Sequence, residues 1–189
     1  HPQYHIHHSA PTSHSADTPC NAGVAIIVHS SLQSHIHPSN PLEVITPHRT
    51  IVLNFVPAPH IAFAVIGTYS QKTPPAEYLT ALLSCIHNKT HSTLTKQAQH
   101  LLCLGDFNDI GSSLDTTNPQ RHISAAGVVS RITEETPMVD VFRHLHEDLR
   151  LYTYTTTHKS RHSSRIDNIF VSPPLLECTP TLLTGVDTH

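Results

Sequence analysis

The side chains with most chemical capacity gather where one apolar run stops. Leu101-Leu102-Cys103-Leu104 is followed by Gly105 and then by Asp106-Phe107-Asn108. On extended backbone, residues i and i+2 point to the same side, so a carboxylate and a carboxamide should stand together at the mouth of a sheet. In isolation such a D-x-N reads first as an ordinary turn that closes a strand. Further polar residues recur where other apolar runs end: Tyr69, Asp167, and Asp187 with His189. Carboxylates around a shared mouth suit a hard divalent cation such as Mg²⁺, which takes oxygen ligands and keeps several waters. A histidine nearby could accept a proton from an attacking water while an aspartate fixes its tautomer. Asn108 and the Tyr69 hydroxyl could hold phosphate oxygens. Taken singly, each has a plainer role: Asp167 as an ion-paired strand residue, Tyr69 as an amphipathic edge residue, His189 as a terminus. Their ordered recurrence at strand ends favours the chemical reading.

The elements that must position these residues are mostly strands. Leu101–Leu104 lacks apolar/polar alternation and reads as a strand covered on both faces. The runs 23–28, 42–46, 50–56 and 61–69 are apolar and rich in β-branched residues, hence strands. The short link Pro57–His60 predicts that 50–56 and 61–69 pair as an antiparallel hairpin. After Pro74-Pro75, the spacing of Tyr78, Leu79, Leu82, Leu83 and Ile86 predicts an amphipathic helix to about His87. Residues 109–136 carry little periodicity and are long for an unstructured loop, so a short helix is expected near 124–132. Met138, Val141, Phe142 and Leu145 suit another short helix, and the stretches 151–155, 165–171 and 175–184 read as strands. Strands with adjacent hairpins, rather than regular strand–helix alternation, predict sheets packed face to face with helices outside.

With 189 residues, of which 38% are hydrophobic, the chain can bury one substantial core. No apolar run is long enough to span a bilayer as a helix and no signal peptide opens the chain, so no membrane partner is expected. His1 in place of Met suggests a piece of a longer reading frame. A formal charge of −3 excludes a global polycation, so any nucleic-acid binding rests on local Arg and His placement or on a metal. Cys20, Cys85, Cys103 and Cys178 are far apart, which fits a reducing, intracellular setting better than a disulfide framework. Of 19 histidines, five crowd the first fourteen positions (His1, His5, His7, His8, His14). A metal-binding tract is one reading. The absence of apolar periodicity and of cysteine partners favours a solvated, poorly ordered lead-in over residues 1–19, with the folded domain at 20–189.

Gly105-Asp106-Phe107-Asn108, then Ser164-Arg165-Ile166-Asp167-Asn168-Ile169-Phe170 and a late Asp/His, resembles the endonuclease/exonuclease/phosphatase superfamily, the deoxyribonuclease I-like fold. Val139–His146 followed by Tyr152–Thr155 is similar to the endonuclease domain of non-LTR (LINE-type) retrotransposons. The resemblance implies an α+β four-layer αββα sandwich, here incomplete at both ends, and Mg²⁺- or Mn²⁺-dependent hydrolysis of a DNA phosphodiester. It implies that Asp106 orients or activates water, Asn108 and Tyr69 contact phosphate, and Asp167 supports the catalytic histidine, here His189. It further implies that Thr153, Ser164 and Arg165 line a DNA-binding groove and that Asp187 serves as a metal ligand. Arg165 has an equally weighted structural reading, a salt bridge that holds its strand. The family's early Asn and metal-ligating Glu have no match before Gly23, and Thr188 separates Asp187 from His189 where the family has them adjacent. The implied protein is a nuclear polyprotein that includes a reverse transcriptase and uses the nicked DNA as primer. The alternatives are a truncated, inactive transposon remnant and a phosphomonoesterase on the same fold.

Overall fold

The computed structural model describes residues 3–9, 23–59, 61–90, 100–157 and 161–176. Its centre is a six-stranded sheet. Strands β4 (Thr50–Ala58) and β5 (Ile61–Tyr69) form the expected antiparallel hairpin. The first six residues of β4 are all buried, which is why the sequence there shows no alternation. The chain crosses through helix α1 (Ala76–Thr90) and returns as β6 (His100–Asp106), parallel to β5. Strand β10 (Asp167–Val171) runs antiparallel along β6, and β3 (Leu42–Thr46) and the two-residue β7 (Val139–Asp140) close the edges. The resulting order is β3-β4-β5-β6-β10-β7.

Alternate residues of these strands divide the core in two. Toward one side, Val52, Ala64, Ile66, Leu101, Cys103 and Phe170 bury against α1 and α2 (Val128–Glu135). Helix α1 presents Tyr78, Leu79, Leu82, Leu83 and Ile86 at helical spacing, and α2 presents Val128, Val129 and Ile132. Toward the other side, Leu53 and Phe55 meet Val28, Ile26 and Val65 under a hairpin of β1 (Tyr4–Ser9) and β2 (Val24–His29). This hairpin crosses the sheet at Gly67, where a β-carbon would lie 3.0 Å from Val24 Cγ1 and 3.2 Å from Ile26 Cγ1. Among the described residues no helix is long and apolar enough to cross a membrane.

The structure corrects several expectations. The lead-in is strand over Tyr4–Ser9, paired residue for residue with β2 from Tyr4↔His29 to Ser9↔Val24. Histidines at His5 and His7 occupy half-buried positions where a sequence pattern looks for apolar ones, so the period of two was hidden. The helix predicted from Met138 is a two-residue strand followed by α3 (Val141–Leu145), because Asp140 caps the helix from outside through Arg143 N. The strand at 151–155 shrinks to β8 (Tyr154–Thr155), which pairs with β9 (Ser163–Ser164). Pro173 opens a short helix, α4 (Pro173–Leu176), where the strand at 175–184 was expected to begin, and 177–184 lie outside the described residues.

One backbone position sets the aim of the strand end that carries the D-x-N. Gly105 has φ +150°, and a β-carbon on it would fall 1.8 Å from the carbonyl oxygen of Thr68 on β5. Gly105→Ala is expected to lower unfolding free energy by about 3 kcal/mol in urea titration; an unchanged midpoint would show that the two strands can separate at no cost.

Candidate active site

Three strands deliver three polar side chains in a row. Tyr69 at the end of β5 is in register with Asp106 at the end of β6, and Asp106 is in register with Asp167 at the start of β10. Residues directly opposite on neighbouring strands share a face. That face is the one beneath the β1–β2 hairpin, where a cleft of about 680 Å³ lined by Val24, Ile26, Val65, Leu102 and Leu104 opens onto Tyr69 and Asp106.

Asn108 completes the group through a sharp turn. Asp106 Oδ1 accepts the Asn108 backbone N–H at 2.8 Å, and the Asn108 carboxamide donates to Ser70 O at 2.8 Å and to Asp106 Oδ2 at 3.3 Å. Ser70 in turn donates its backbone N–H to Asp106 O at 2.8 Å, so the ends of β5 and β6 are laced together. Asn108 adopts φ +51°, a left-handed conformation that Asn tolerates better than most residues. Beneath the turn, Phe107 is fully buried with its ring 5.2 Å from that of Phe170, edge to face. Beyond it, Asp109 accepts from Val129 N at 3.1 Å and fixes the start of α2.

The electrostatics suit a base. Partial burial raises the Asp106 carboxyl above the ordinary carboxylate range; the Asn108 N–H works against this, and the charge of Asp167 adds to it. Among the described residues, neither Asp106 nor Asp167 forms an ion pair. Arg49 lies over the Tyr69 ring, its guanidinium carbon 4.9 Å from the centroid, within cation–π range. The donors Asp106, Asp167 and Asn108 are all oxygen ligands, the set that fits Mg²⁺ or Mn²⁺ held by one or two carboxylates with water. Among the described residues no group of three or more His, Cys, Asp or Glu side chains converges.

Ser164 and Arg165 do not line a groove, which corrects the sequence expectation. Ser164 is 4% exposed and its hydroxyl is bonded to Thr116 Oγ1 and Arg121 Nη1. Arg165 is 2% exposed and forks onto two carboxylates, with Nε donating to Asp115 Oδ1 at 2.8 Å and Nη2 to Asp140 Oδ2 at 2.7 Å. Of its two sequence readings, the structural one holds. Arg143 pairs with the same Asp115, and both guanidinium carbons sit about 5 Å from the Phe142 ring. The Thr153 hydroxyl oxygen accepts from Ile166 N at 3.1 Å and Asp167 N at 3.2 Å and so fixes the start of β10. Asp187 and His189 lie outside the described residues. Sequence reasoning missed Arg49 and Arg121, since neither a basic residue before a strand nor one in a polar loop carries any periodic signal, and Ser70, which acts through its backbone.

A sequence model of the endonuclease/exonuclease/phosphatase family matches residues 1–184. The chain belongs to the endonuclease/exonuclease/phosphatase family. The match takes in the histidine-rich opening as well as the sheet. No curated protein sequence gives a significant match. Among solved structures, the AP endonuclease LMAP from Leishmania major superposes with a TM-score of 0.73 at 15% identity, over 93% of this chain and 64% of that one. The endonuclease domain of TRAS1, a telomere-specific non-LTR retrotransposon, gives 0.59 at 15% identity, over 93% and 69%. The 3′ phosphatase NExo from Neisseria, bound to product DNA hairpin, gives 0.62 at 20% identity, over 93% and 69%. The fold is therefore the mixed α+β, deoxyribonuclease I-like one, and this family member spans about two thirds of the length of those chains. Family members generally depend on a divalent metal, and these neighbours are DNA-processing enzymes.

Burial opposes ionisation of Asp115, yet the paired N–H groups of Arg165 and Arg143 outweigh it and hold the carboxyl below its ordinary range. A depressed carboxylate stabilises the fold fully above its unfolded value, near pH 4, and loses that contribution as pH falls through the folded value. Asp115→Asn is expected to cost about 3–5 kcal/mol at neutral pH, because it strands buried guanidinium charge. It should also flatten the acid limb of stability below about pH 4. Chemical denaturation across pH 2.5–7 (about that range) checks both. Asp106 has the opposite sign: with its folded value raised, the stability it contributes is lost as pH rises through that value, so the same titration on Asp106→Asn is expected to lack this loss above about pH 4.

Proposed function

We propose that this chain carries the catalytic core of a divalent-metal-dependent DNA endonuclease of the LINE type, whose parent polyprotein nicks target DNA in the nucleus to prime reverse transcription. The observation that carries the reading is the row Tyr69–Asp106–Asp167, with the Asn108 carboxamide pinned beside it at the mouth of an open cleft. The Val139–His146 and Tyr152–Thr155 segments, similar to LINE-type endonuclease domains, support the retrotransposon assignment, and the TRAS1 endonuclease domain shares the fold.

In this reading Asp106 orients the attacking water beside the Asn108 carboxamide. The 3.3 Å contact between the Asn108 carboxamide and Asp106 is the weaker of its two, and a phosphate oxygen would take its place while Ser70 O keeps the amide aimed. Tyr69 offers its hydroxyl to a second phosphate oxygen, with the Arg49 guanidinium on its ring adding positive charge. Asp106 and Asp167 would hold the metal ion, which when bound supplies charge neutralisation for the phosphodiester. Asp187 and His189 are proposed to complete the ligand set and the base, as the family pattern suggests.

Conversion of supercoiled plasmid to open circle with Mg²⁺ tests the proposal. Nicking is expected to stop on chelation with EDTA and to fall about 10²- to 10⁴-fold in Asp106→Ala and Asp167→Ala. No nicking by the parent chain, with its fold intact by circular dichroism, would favour an inactive remnant. Release of phosphate from small monoesters without nicking would favour the phosphomonoesterase.

A further inference from the structure

We propose that Arg121 is a positioning residue that sets the conformation of Asn108 and ties it to β9, the strand that leads to Asp167. Arg121 lies in the irregular stretch between β6 and α2, with its side chain half-buried. Its Nη2 donates to the backbone oxygen of Asn108 at 3.0 Å, and its Nη1 donates to Ser164 Oγ at 3.1 Å. One planar guanidinium thus spans the two segments that supply the site: the Asp106–Asn108 turn on one side and β9, which leads to Arg165-Ile166-Asp167, on the other.

The Asn108 carbonyl is the group that most needs holding. At φ +51° the residue stands in a conformation that is unfavourable for a side-chain-bearing residue by about 1 kcal/mol, and it persists only when neighbours over-determine it. The bonds from Asn108 to Asp106 and Ser70 restrain its amide N–H and its carboxamide. Neither bond holds the carbonyl of the following peptide, between Asn108 and Asp109, and a turn of that peptide carries Asn108 out of its left-handed conformation and its N–H away from Asp106. The charge-assisted bond from Arg121 fixes that peptide. Ser164 is itself anchored, since its hydroxyl also meets Thr116 Oγ1 at 3.1 Å and its carbonyl accepts from Thr153 N at 3.1 Å. Arg121 therefore transmits a rigid framework to the carboxamide rather than hanging from a mobile loop. A displacement of the amide of even 1 Å would cost rate, because a positioned contact acts only when its geometry is met.

The inference rests on the endonuclease reading for its effect on rate, and on geometry alone for its effect on Asn108. Amide hydrogen exchange on the full chain separates the two. Arg121→Ala is expected to speed exchange at the Asn108 N–H by about tenfold or more while the amides of β6 and the Tm stay as in the parent. Arg121→Lys, which keeps one charged donor, is expected to restore part of that protection. Arg131→Ala, which removes only an exposed pair with Glu135, is expected to leave Asn108 unchanged. In the plasmid assay, Arg121→Ala should lower kcat about tenfold to a hundredfold with KM within about twofold. Unchanged exchange at Asn108 would overturn the proposal, as would loss of protection throughout β6, which marks a merely structural role. A rise in KM with Asn108 exchange intact would make Arg121 a DNA contact instead. If the parent chain does not nick, the endonuclease reading fails while the exchange result still decides Arg121.

Discussion

Everything at the site depends on one buried ionic knot. Arg165, with almost no exposure, faces Asp115 from the irregular segment and Asp140 from the sheet edge, and Arg143 closes on Asp115 from α3. Guanidinium ions out of water are costly unless every donor finds a partner, and here two carboxylates and the Phe142 face supply them. The knot contributes little net stability relative to a well-packed apolar cluster, but it leaves only one arrangement of three chain segments that avoids an unpaired charge. Because Arg165 is two residues from Asp167, that single arrangement also fixes where β10 begins.

Around this anchor the Gly105–Asp109 turn is restrained from every side. Gly105 lets β6 approach β5 closely, Phe107 seats the turn in the core, Asp106 closes the turn on the Asn108 N–H, and Asn108 and Asp109 bind backbone at the end of β5 and the start of α2. Preorganisation of this kind is what an electrostatic site needs, since groups already in place spend no reorganisation when charge develops. It also explains why a carboxylate with raised proton affinity is tolerated: the surrounding packing outweighs the local cost.

The strands were legible in the sequence because their burial is simple. β3 and β5 have the predicted limits, since each run of β-branched residues is bounded by proline or polar turn residues. The row of Tyr69, Asp106 and Asp167 was legible as strand ends, although its register was not, because register arises from pairing rather than from composition. Tyr4–Ser9 was hidden because histidine can sit half-buried in a strand without looking apolar. Ser164 and Arg165 were misread because a polar motif looks the same whether it faces solvent or a buried counter-charge; only Asp115, fifty positions away in the same bonded pair, distinguishes the two.

The parallel pairing of β5 with β6 has a consequence for how the molecule comes into being. As the chain leaves the ribosome, β6 can dock on β5 as soon as α1 has crossed over, but its other edge must wait for β10, with residues 107–166 made in between. During that interval Leu102 and Leu104 lie along an unsatisfied backbone edge, open to any other strand that arrives first. Asp106, at the tip of that edge, places a charge where a foreign strand would begin to pair. A charge at the tip of an unpaired edge is the kind of residue that opposes edge-to-edge pairing.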